Sequence, residues 1–310
     1  MSDSPNDVLR RRLQSSPFWT KVGFELESSK AGRVRIRLPY DIANTTTATA
    51  LHGGAIAATL DAAGSLAAWS SEEREDVSGQ LLACDVSYIA GALGEDIFGE
   101  AEVLRKGKEI VYTTIRVLNG DGKLLASANH IYNLTTPEPT PAAPTNKLGA
   151  AMKLGRTLPG IGDLSEPDDD IVQKNLSILS KMDGRMPYMS QINWKFNSGG
   201  YGFAEFLLPW KDSSIGEDGG LAGGALLSAV DHSGSLAAWM TTELGRRDLF
   251  GSTVNTKIKI FAPAIKRDVI VRARATGGSG SIIHSDVDIF SSAGEPVASG
   301  STIYRIIHRG

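Results

Sequence analysis

Residues 51–69 read LHGGAIAATLDAAGSLAAW, and a closely similar stretch, LAGGALLSAVDHSGSLAAW, begins 170 residues later at Leu221. Each stretch opens with two adjacent glycines and continues as a run of small and apolar residues. This composition predicts a helix that is apolar on nearly all sides and is therefore buried. The repetition predicts a chain built from two copies of one folding unit.

Each predicted helix carries a single carboxylate, Asp61 in the first copy and Asp231 in the second. Burying an uncompensated carboxylate costs several kcal/mol or more, so each aspartate needs a reason. Along a helix that rises about 1.5 Å per residue, Asp61 lies about 12 Å from Gly53 and cannot serve the start of its own helix. Two such helices packed antiparallel would place each aspartate beside the glycine pair of the other copy. The sequence therefore predicts two composite sites, in which backbone N–H groups and a helix dipole face a carboxylate. Such a site is suited to polarising a carbonyl oxygen and activating water.

The overall composition excludes several classes of protein. The 310 residues include 41% hydrophobic and 22% charged residues with a net charge of −3, which lacks the basic excess of a nucleic-acid binder. The single cysteine, Cys84, excludes an intrachain disulfide and favours a reducing compartment. No apolar run reaches the roughly 20 residues that span a bilayer, and no apolar segment follows the arginines near the start. We therefore expect a cytoplasmic protein with neither nucleic acid nor membrane as a partner.

The rest of the chain predicts the same α+β unit twice. After a short amphipathic helix and Pro17, we expect a pair of strands, the second of which is the alternating segment 33–38. The long buried helix follows, and then about four antiparallel strands with local connections, which describes a curved sheet wrapped around one helix. The predicted domains are residues 1–134 and 169–310, joined by a proline-rich linker at 135–168.

These residues resemble the hotdog-fold acyl-CoA thioesterases, in particular the PaaI-like and 4-hydroxybenzoyl-CoA thioesterase group. The resemblance rests on His52-Gly53-Gly54 at the helix start, on an acid eight residues after the first glycine, and on a serine four residues beyond that acid. It implies two tandem hotdog domains that form an intramolecular counterpart of the family's dimer. Association of this fused unit into a larger homo-oligomer stays open.

The resemblance also implies residue roles for hydrolysis of an acyl-CoA to the free acid and coenzyme A. Gly53, within the His52-Gly53-Gly54 motif, offers the amide that polarises the thioester carbonyl. Asp231 acts as general base or as nucleophile, and the sequence does not separate these two routes. Ser235 holds the attacking water. The second composite site consists of Gly223, Asp61 and Ser65, and it departs from the family pattern because Ala222 stands in the position of His52.

No cofactor or metal is expected, because coenzyme A enters as part of the substrate and the histidines have no metal-ligand spacing. The basic turn Arg105-Lys106-Gly107-Lys108 is the candidate contact for the coenzyme A phosphates, and its alternative is an ordinary charged hairpin. The glycine pairs, the aspartates, the serines and His52 also have structural readings, as close-packing or hydrogen-bonding residues. The alternative function is a non-catalytic acyl-CoA-binding or regulatory protein that keeps the cleft without turnover.

Overall fold

The computed structural model of the chain describes residues 5–47, 49–74, 77–135, 169–181 and 185–308. Within these ranges, the first copy contains three α-helices and eight strands in the following order: α1 (Pro5–Ser15), α2 (Pro17–Val22), β1 (Glu25–Lys30), β2 (Arg33–Leu38), β3 (Thr45–Thr47), β4 (Ala50–Leu51), α3 (Gly53–Ser70), β5 (Ser78–Tyr88), β6 (Ile97–Lys106), β7 (Ile110–Asn119) and β8 (Leu124–Thr135).

The second copy repeats the same order without the two shortest strands. Its elements are α4 (Asp169–Leu179), α5 (Pro187–Gln191), β9 (Lys195–Gly200), β10 (Phe203–Leu208), α6 (Gly223–Trp239), β11 (Leu249–Ile260), β12 (Val269–Ser279), β13 (Ile282–Ser291) and β14 (Pro296–His308). The α+β class predicted from the sequence, with two tandem hotdog units, is therefore confirmed.

The long strands of both copies form one antiparallel sheet of 12 strands in the order β1-β2-β6-β7-β8-β5-β11-β14-β13-β12-β10-β9. The two halves join at its centre, where β5 pairs with β11 and Ile258 lies opposite Cys84. Because each half curves around its own long helix, the edge-to-edge join brings the two helices into contact across the middle of the molecule.

The long helices α3 and α6 form the centre of the core and run antiparallel. Nearly every residue of both helices is buried, because their small and apolar side chains are covered by the sheet on one side and by the other helix on the other. Gly53 at the start of α3 lies against Asp231 in α6, and Gly223 at the start of α6 lies against Asp61 in α3. This reciprocal contact is the arrangement that the position of each aspartate in its helix predicts.

One local prediction differs from the structure. The sequence predicts a strand after Pro17, but residues 17–22 form the helix α2 before β1 starts. Ser16 caps this helix through its side chain, Pro17 occupies the first turn, and Gly23 ends it with a φ of 96°. The predicted linker, apart from Thr135, lies outside the described residues, and the domain boundaries drawn from it stay predictions.

Candidate active site

The start of α3 touches the carboxylate of Asp231. A β-carbon placed on Gly53 would stand 2.6 Å from Asp231 Oδ2, so only a residue without a side chain leaves room for this approach. Gly53 is the first residue of the helix, and its N–H donates to no group in the described part of the chain. The pair therefore presents a free amide, the positive end of a helix dipole and a carboxylate at one point.

Two threonines of β11 hold the Asp231 carboxylate. The Thr253 hydroxyl donates to Oδ1 at 2.8 Å, and the Thr256 hydroxyl lies 3.4 Å from the same oxygen. Burial raises the pKa of Asp231 to about 6, against the lowering effect of these two hydrogen bonds. Asp231 is therefore ionised at neutral pH, and its pKa is close enough to that pH for it to accept a proton, as a general base requires.

His52 caps α3 and closes one wall of the site. Its Nδ1 accepts the Gly54 N–H at 2.8 Å, so this nitrogen carries no proton. Burial lowers the pKa of His52 to about 4, so the ring is neutral near pH 7 and its proton is on Nε2. Nε2 lies 3.4 Å from Nδ1 of His232, whose pKa is lowered by burial and by the neighbouring His52. Both rings therefore act as uncharged groups beside Gly53.

A cleft of about 540 Å³ opens at this point, and His52, Gly53, Ser235 and Thr253 contribute to its wall. Its volume falls within the range of small-molecule sites. Both copies contribute to the wall, as expected for a composite site. The apolar side chains that line it include Ile56, Ile89, Leu236, Trp239, Phe250 and Val254.

Ser235 and Tyr88 complete the surroundings of the cleft. The Ser235 hydroxyl donates to the backbone carbonyl of Asp231 at 2.6 Å and lies 3.3 Å from the Thr253 hydroxyl, rather than contacting the carboxylate directly. The Tyr88 hydroxyl donates to the Gly53 carbonyl at 3.3 Å. Sequence reasoning missed Tyr88, Thr253 and Thr256, because their positions depend on strand register.

The second aspartate has different neighbours. A β-carbon on Gly223 would lie 2.9 Å from Asp61 Oδ1 but 2.8 Å from a methyl carbon of Leu81. Asp61 Oδ1 is 3.5 Å from Nε2 of His130, and within the described ranges neither atom has a hydrogen-bond partner. Ser65 is buried and lines the small pocket beside Asp61. The predicted residues of the second site therefore also meet, but in a more apolar setting.

Protein side chains leave little space in the pocket at this second site. It measures about 50 Å³, and both Glu217 and Asp218 line it. Arg12 lies 3.5 Å from Glu217 and 3.4 Å above the ring of Trp69, so the first helix of the chain is fastened at this end of α3. Burial raises the pKa of Glu217 and of Asp218. The volume is far below that of a site for an acyl group, and the carboxylates disfavour an anionic ligand.

The two sites differ in the polarity of the residues that surround the glycine and the aspartate. The groups that surround the Gly53–Asp231 pair are polar, whereas the positions equivalent to them at the other site, by the repeat offset of 170 or 172 residues, are almost all apolar. The pairs, with the Gly53 site first, are His52 and Ala222, Tyr88 and Ile260, Tyr188 and Phe18, Ser228 and Ala58, Thr253 and Leu81, and Thr256 and Cys84.

The basic turn lies far from Gly53. Lys106 donates to the Ser71 carbonyl at 2.6 Å and lies 3.3 Å from Glu72, just past the end of α3. The length of α3 puts this end about 25 Å from Gly53, on the side of the second site. Arg105 and Lys108 are exposed in the same turn. Over the described ranges, no three His, Cys, Asp or Glu side chains converge in a way that could hold a metal ion.

Comparisons with known proteins fit this geometry. The family model described as "Thioesterase superfamily" matches residues 49–126. The putative esterase of Saccharolobus solfataricus is 32% identical over 97 residues, which cover 31% of this chain and 68% of that protein. The chain belongs to the thioesterase superfamily. Human acyl-coenzyme A thioesterase 13 is 28% identical over 137 residues, which cover 43% of this chain and 96% of that protein.

A solved structure shows that the hotdog fold extends over both copies. A protein of unknown function with a hotdog fold from Alicyclobacillus acidocaldarius superposes with a TM-score of 0.58 at 16% identity, over 92% of this chain and 97% of that chain. At this identity the likeness concerns the fold alone. No helix among the residues described is long and apolar enough to cross a membrane.

Proposed function

We propose that the protein hydrolyses an acyl-CoA thioester to a free acid and coenzyme A at the composite site formed by Gly53 and Asp231. The observation that carries this proposal is the close approach of the buried Asp231 carboxylate to Gly53, whose N–H is free at the helix start and which lines a cleft of about 540 Å³. Membership of the thioesterase superfamily supports the reaction class, and the similarity to acyl-coenzyme A thioesterase 13 supports the substrate class.

In this proposal the Gly53 N–H donates to the carbonyl oxygen of the thioester. The helix dipole and this hydrogen bond stabilise the negative charge that develops on the oxygen when the carbonyl carbon is attacked. Because the amide belongs to the backbone of a buried helix, it is held in place before the substrate binds. The Tyr88 hydroxyl, which donates to the Gly53 carbonyl, helps to keep the next peptide group in orientation.

Asp231 supplies the second half of the chemistry. As a general base it takes a proton from water, the water oxygen bonds to the carbonyl carbon, the C–S bond breaks, and the proton passes to the leaving thiolate. As a nucleophile its oxygen bonds to the carbonyl carbon and the C–S bond breaks, which gives a mixed anhydride and a thiolate that takes a proton from water; a water molecule then hydrolyses the anhydride to the free acid and restores the carboxylate. The pKa of about 6 suits the first route near neutral pH, while burial beside Gly53 is compatible with both.

The cleft also contains a candidate for coenzyme A recognition. Arg305 on β14 lines the cleft, is exposed, and forms no ion pair with any described residue. By contrast, Arg35 and Arg37 on the outer face of β2 are each bound to carboxylates. We therefore place the phosphates of the substrate near Arg305, and the basic turn at Arg105, Lys106 and Lys108 remains the second candidate.

Turnover of a panel of acyl-CoA thioesters, followed by release of the free thiol, tests the proposal. We expect thiol release with at least one acyl group, and loss of it in Asp231→Asn. Tight binding of acyl-CoAs without thiol release would instead support the alternative, a non-catalytic acyl-CoA-binding protein. Neither binding nor release with any acyl-CoA would overturn both readings.

A further inference from the structure

Two hydroxyl groups from the second copy meet at the backbone of the first turn of α3. The Tyr188 hydroxyl lies 3.2 Å from the Gly54 carbonyl oxygen, and the Ser228 hydroxyl lies 2.9 Å from the same oxygen. The two hydroxyls are 2.9 Å apart, and Ser228 Oγ is also 2.6 Å from the Gly224 carbonyl. Together they link the first turn of α3 to the first turn of α6.

Both hydroxyls are needed for this link, because two carbonyl oxygens require two hydrogen-bond donors. A serine has one proton to donate, so Ser228 cannot satisfy the Gly54 and Gly224 carbonyls at the same time. Tyr188 supplies the second donor, and its burial raises the pKa of the phenol, which therefore keeps its proton. Both side chains are fully buried, so no water competes for these positions.

The packing around Gly54 is correspondingly tight. A β-carbon on Gly54 would stand 2.8 Å from Ser228 Cβ and 2.8 Å from Tyr188 Cε1. The Tyr188 ring also stacks on His52, with 5.1 Å between the ring centroids. The second copy thus holds the backbone and the cap of the glycine motif from two sides.

The other half of the molecule lacks this link. The position equivalent to Tyr188 is Phe18, and the position equivalent to Ser228 is Ala58, so neither side chain carries a hydroxyl. Gly224 packs directly against the Phe18 ring and the Ala58 backbone, at 3.0 and 3.1 Å from its hypothetical β-carbon. The fold therefore accommodates both positions without hydroxyls. The link is present only where Gly53 faces Asp231, which indicates a role beyond packing.

The position of Ser228 on its helix gives that role. Ser228 precedes Asp231 by three residues, so both side chains lie on the same face of α6. The hydroxyl that binds the Gly54 carbonyl and the carboxylate that faces Gly53 are thus parts of one rigid surface. We propose that Tyr188 and Ser228 are positioning residues, which fix the start of α3 relative to the Asp231 carboxylate; this rests on the proposed function.

The test compares Ser228→Ala and Tyr188→Phe with the matched control Ser233→Ala. Ser233 lies on the same helix, is equally buried, and donates only to the Ala229 carbonyl within that helix. We expect kcat to fall about tenfold in the first two variants with little change in KM, because misplacement of about 1 Å can cost up to about 100-fold. The double variant should lose little more than either single variant, because the two hydroxyls share one network.

A second measurement does not depend on turnover. Hydrogen exchange of the backbone amides in residues 51–59 should be faster in Ser228→Ala and Tyr188→Phe than in wild type and Ser233→Ala. Melting temperatures identify any variant that is globally destabilised, and Tyr188→Phe is the safer one because Phe18 fills the equivalent place.

The outcomes separate the two proposals. If wild type releases no thiol, the proposed function fails, and hydrogen exchange alone decides whether the link fixes the helix start. Equal exchange in all four proteins, or kcat values for Ser228→Ala and Tyr188→Phe that match Ser233→Ala, would overturn the positioning role.

Discussion

Gly53 and Asp231 belong to different copies of the repeat, yet a β-carbon on Gly53 would stand 2.6 Å from a carboxylate oxygen of Asp231. In the proposed active site, this contact makes the second copy a necessary partner of the first copy's glycine pair. It also explains why a carboxylate can occur in the middle of an otherwise apolar helix, because there it faces a helix start and accepts hydrogen bonds from threonines.

The first prediction follows from the lack of space for any side chain at Gly53. In Gly53→Ala the new methyl group displaces the Asp231 carboxylate, which can rotate away, so the fold survives while kcat falls about 100-fold. Gly223→Ala is the matched control at the other site, where the hypothetical β-carbon meets Leu81 and Asp61. It should lower the melting temperature without a comparable fall in kcat. Similar losses of kcat in both variants would count against a single working site.

The second prediction concerns pH. Asp231 must be ionised to act, so kcat/KM should fall as the pH drops below about 6, the pKa to which burial raises this group. The Thr253 hydroxyl stabilises the ionised form, so Thr253→Val raises the pKa and moves the acid limb to higher pH. Thr302→Val is the control, because the Thr302 hydroxyl donates to the Val230 carbonyl and not to the carboxylate. An acid limb that stays in place in Thr253→Val would show that another group titrates.

The third prediction concerns stability. The pKa of Asp231 in the folded protein, about 6, lies above its usual value of 3.8. The stabilisation that the folded state gains from the protonated side chain is therefore fully present below pH 3.8 and is lost as the pH rises through 6. The pKa differs by about two units between the unfolded and the folded protein, and each unit corresponds to about 1.4 kcal/mol. The ionised carboxylate therefore lowers the free energy of unfolding by about 3 kcal/mol at pH 8. Asp231→Asn cannot ionise and should melt at a higher temperature than wild type at pH 8.

That difference in melting temperature should shrink as the pH is lowered towards 4. Asp121→Asn, on an exposed turn, controls for the loss of one negative charge. A variant that melts below wild type at pH 8 would mean that the carboxylate stabilises the fold, contrary to a site strained for chemistry.

The fourth prediction concerns coenzyme A. Arg305→Ala should raise KM for an acyl-CoA, more strongly at low salt, and leave kcat nearly unchanged. A truncated thioester without the nucleotide should be hydrolysed equally by both proteins. Replacing Arg105, Lys106 and Lys108 together with alanine provides the comparison, and the turn's distance from Gly53 predicts a smaller effect. A larger rise in KM for the triple variant would restore the basic turn as the phosphate site.

Much of the architecture could be predicted because the chain contains two similar copies of one unit, which can be compared with each other. The repeated glycine pair and aspartate, at a spacing too long for one helix end, required a second antiparallel helix, and the structure has that arrangement. The buried helices and the strands after them also followed from composition and alternation. Helix α2 was missed because the strand pair was placed directly after the break at Pro17, although Ser16, Pro17 and Gly23 are the signals of a short capped helix.

The polar surroundings of Asp231 could not be predicted with the same ease. Thr253 and Thr256 both reach the carboxylate, although residues three apart on a regular strand point to opposite faces of the sheet. A register shift between Thr253 and Asn255 puts them on the same face, and the spacing in the sequence does not reveal this shift. The contact between Arg12 and Glu217, which lines the second pocket, joins residues far apart in the sequence, so the sequence contains no sign of it. The two copies aligned residue by residue, however, already pair Tyr188 with Phe18 and Ser228 with Ala58, so this difference can be seen in the sequence itself.

The most direct test of the proposed active site is the rate of thiol release from an acyl-CoA by Asp231→Asn and Asp61→Asn, measured beside wild type. Each substitution preserves the shape of the side chain and removes one carboxylate, and melting temperatures establish that both proteins are folded. We expect Asp231→Asn to lower kcat by at least about 100-fold, the effect of losing a general base or nucleophile, while Asp61→Asn retains most of its activity. Loss of activity in a folded Asp61→Asn with retention in Asp231→Asn would contradict this expectation and assign the reaction to the site at Gly223.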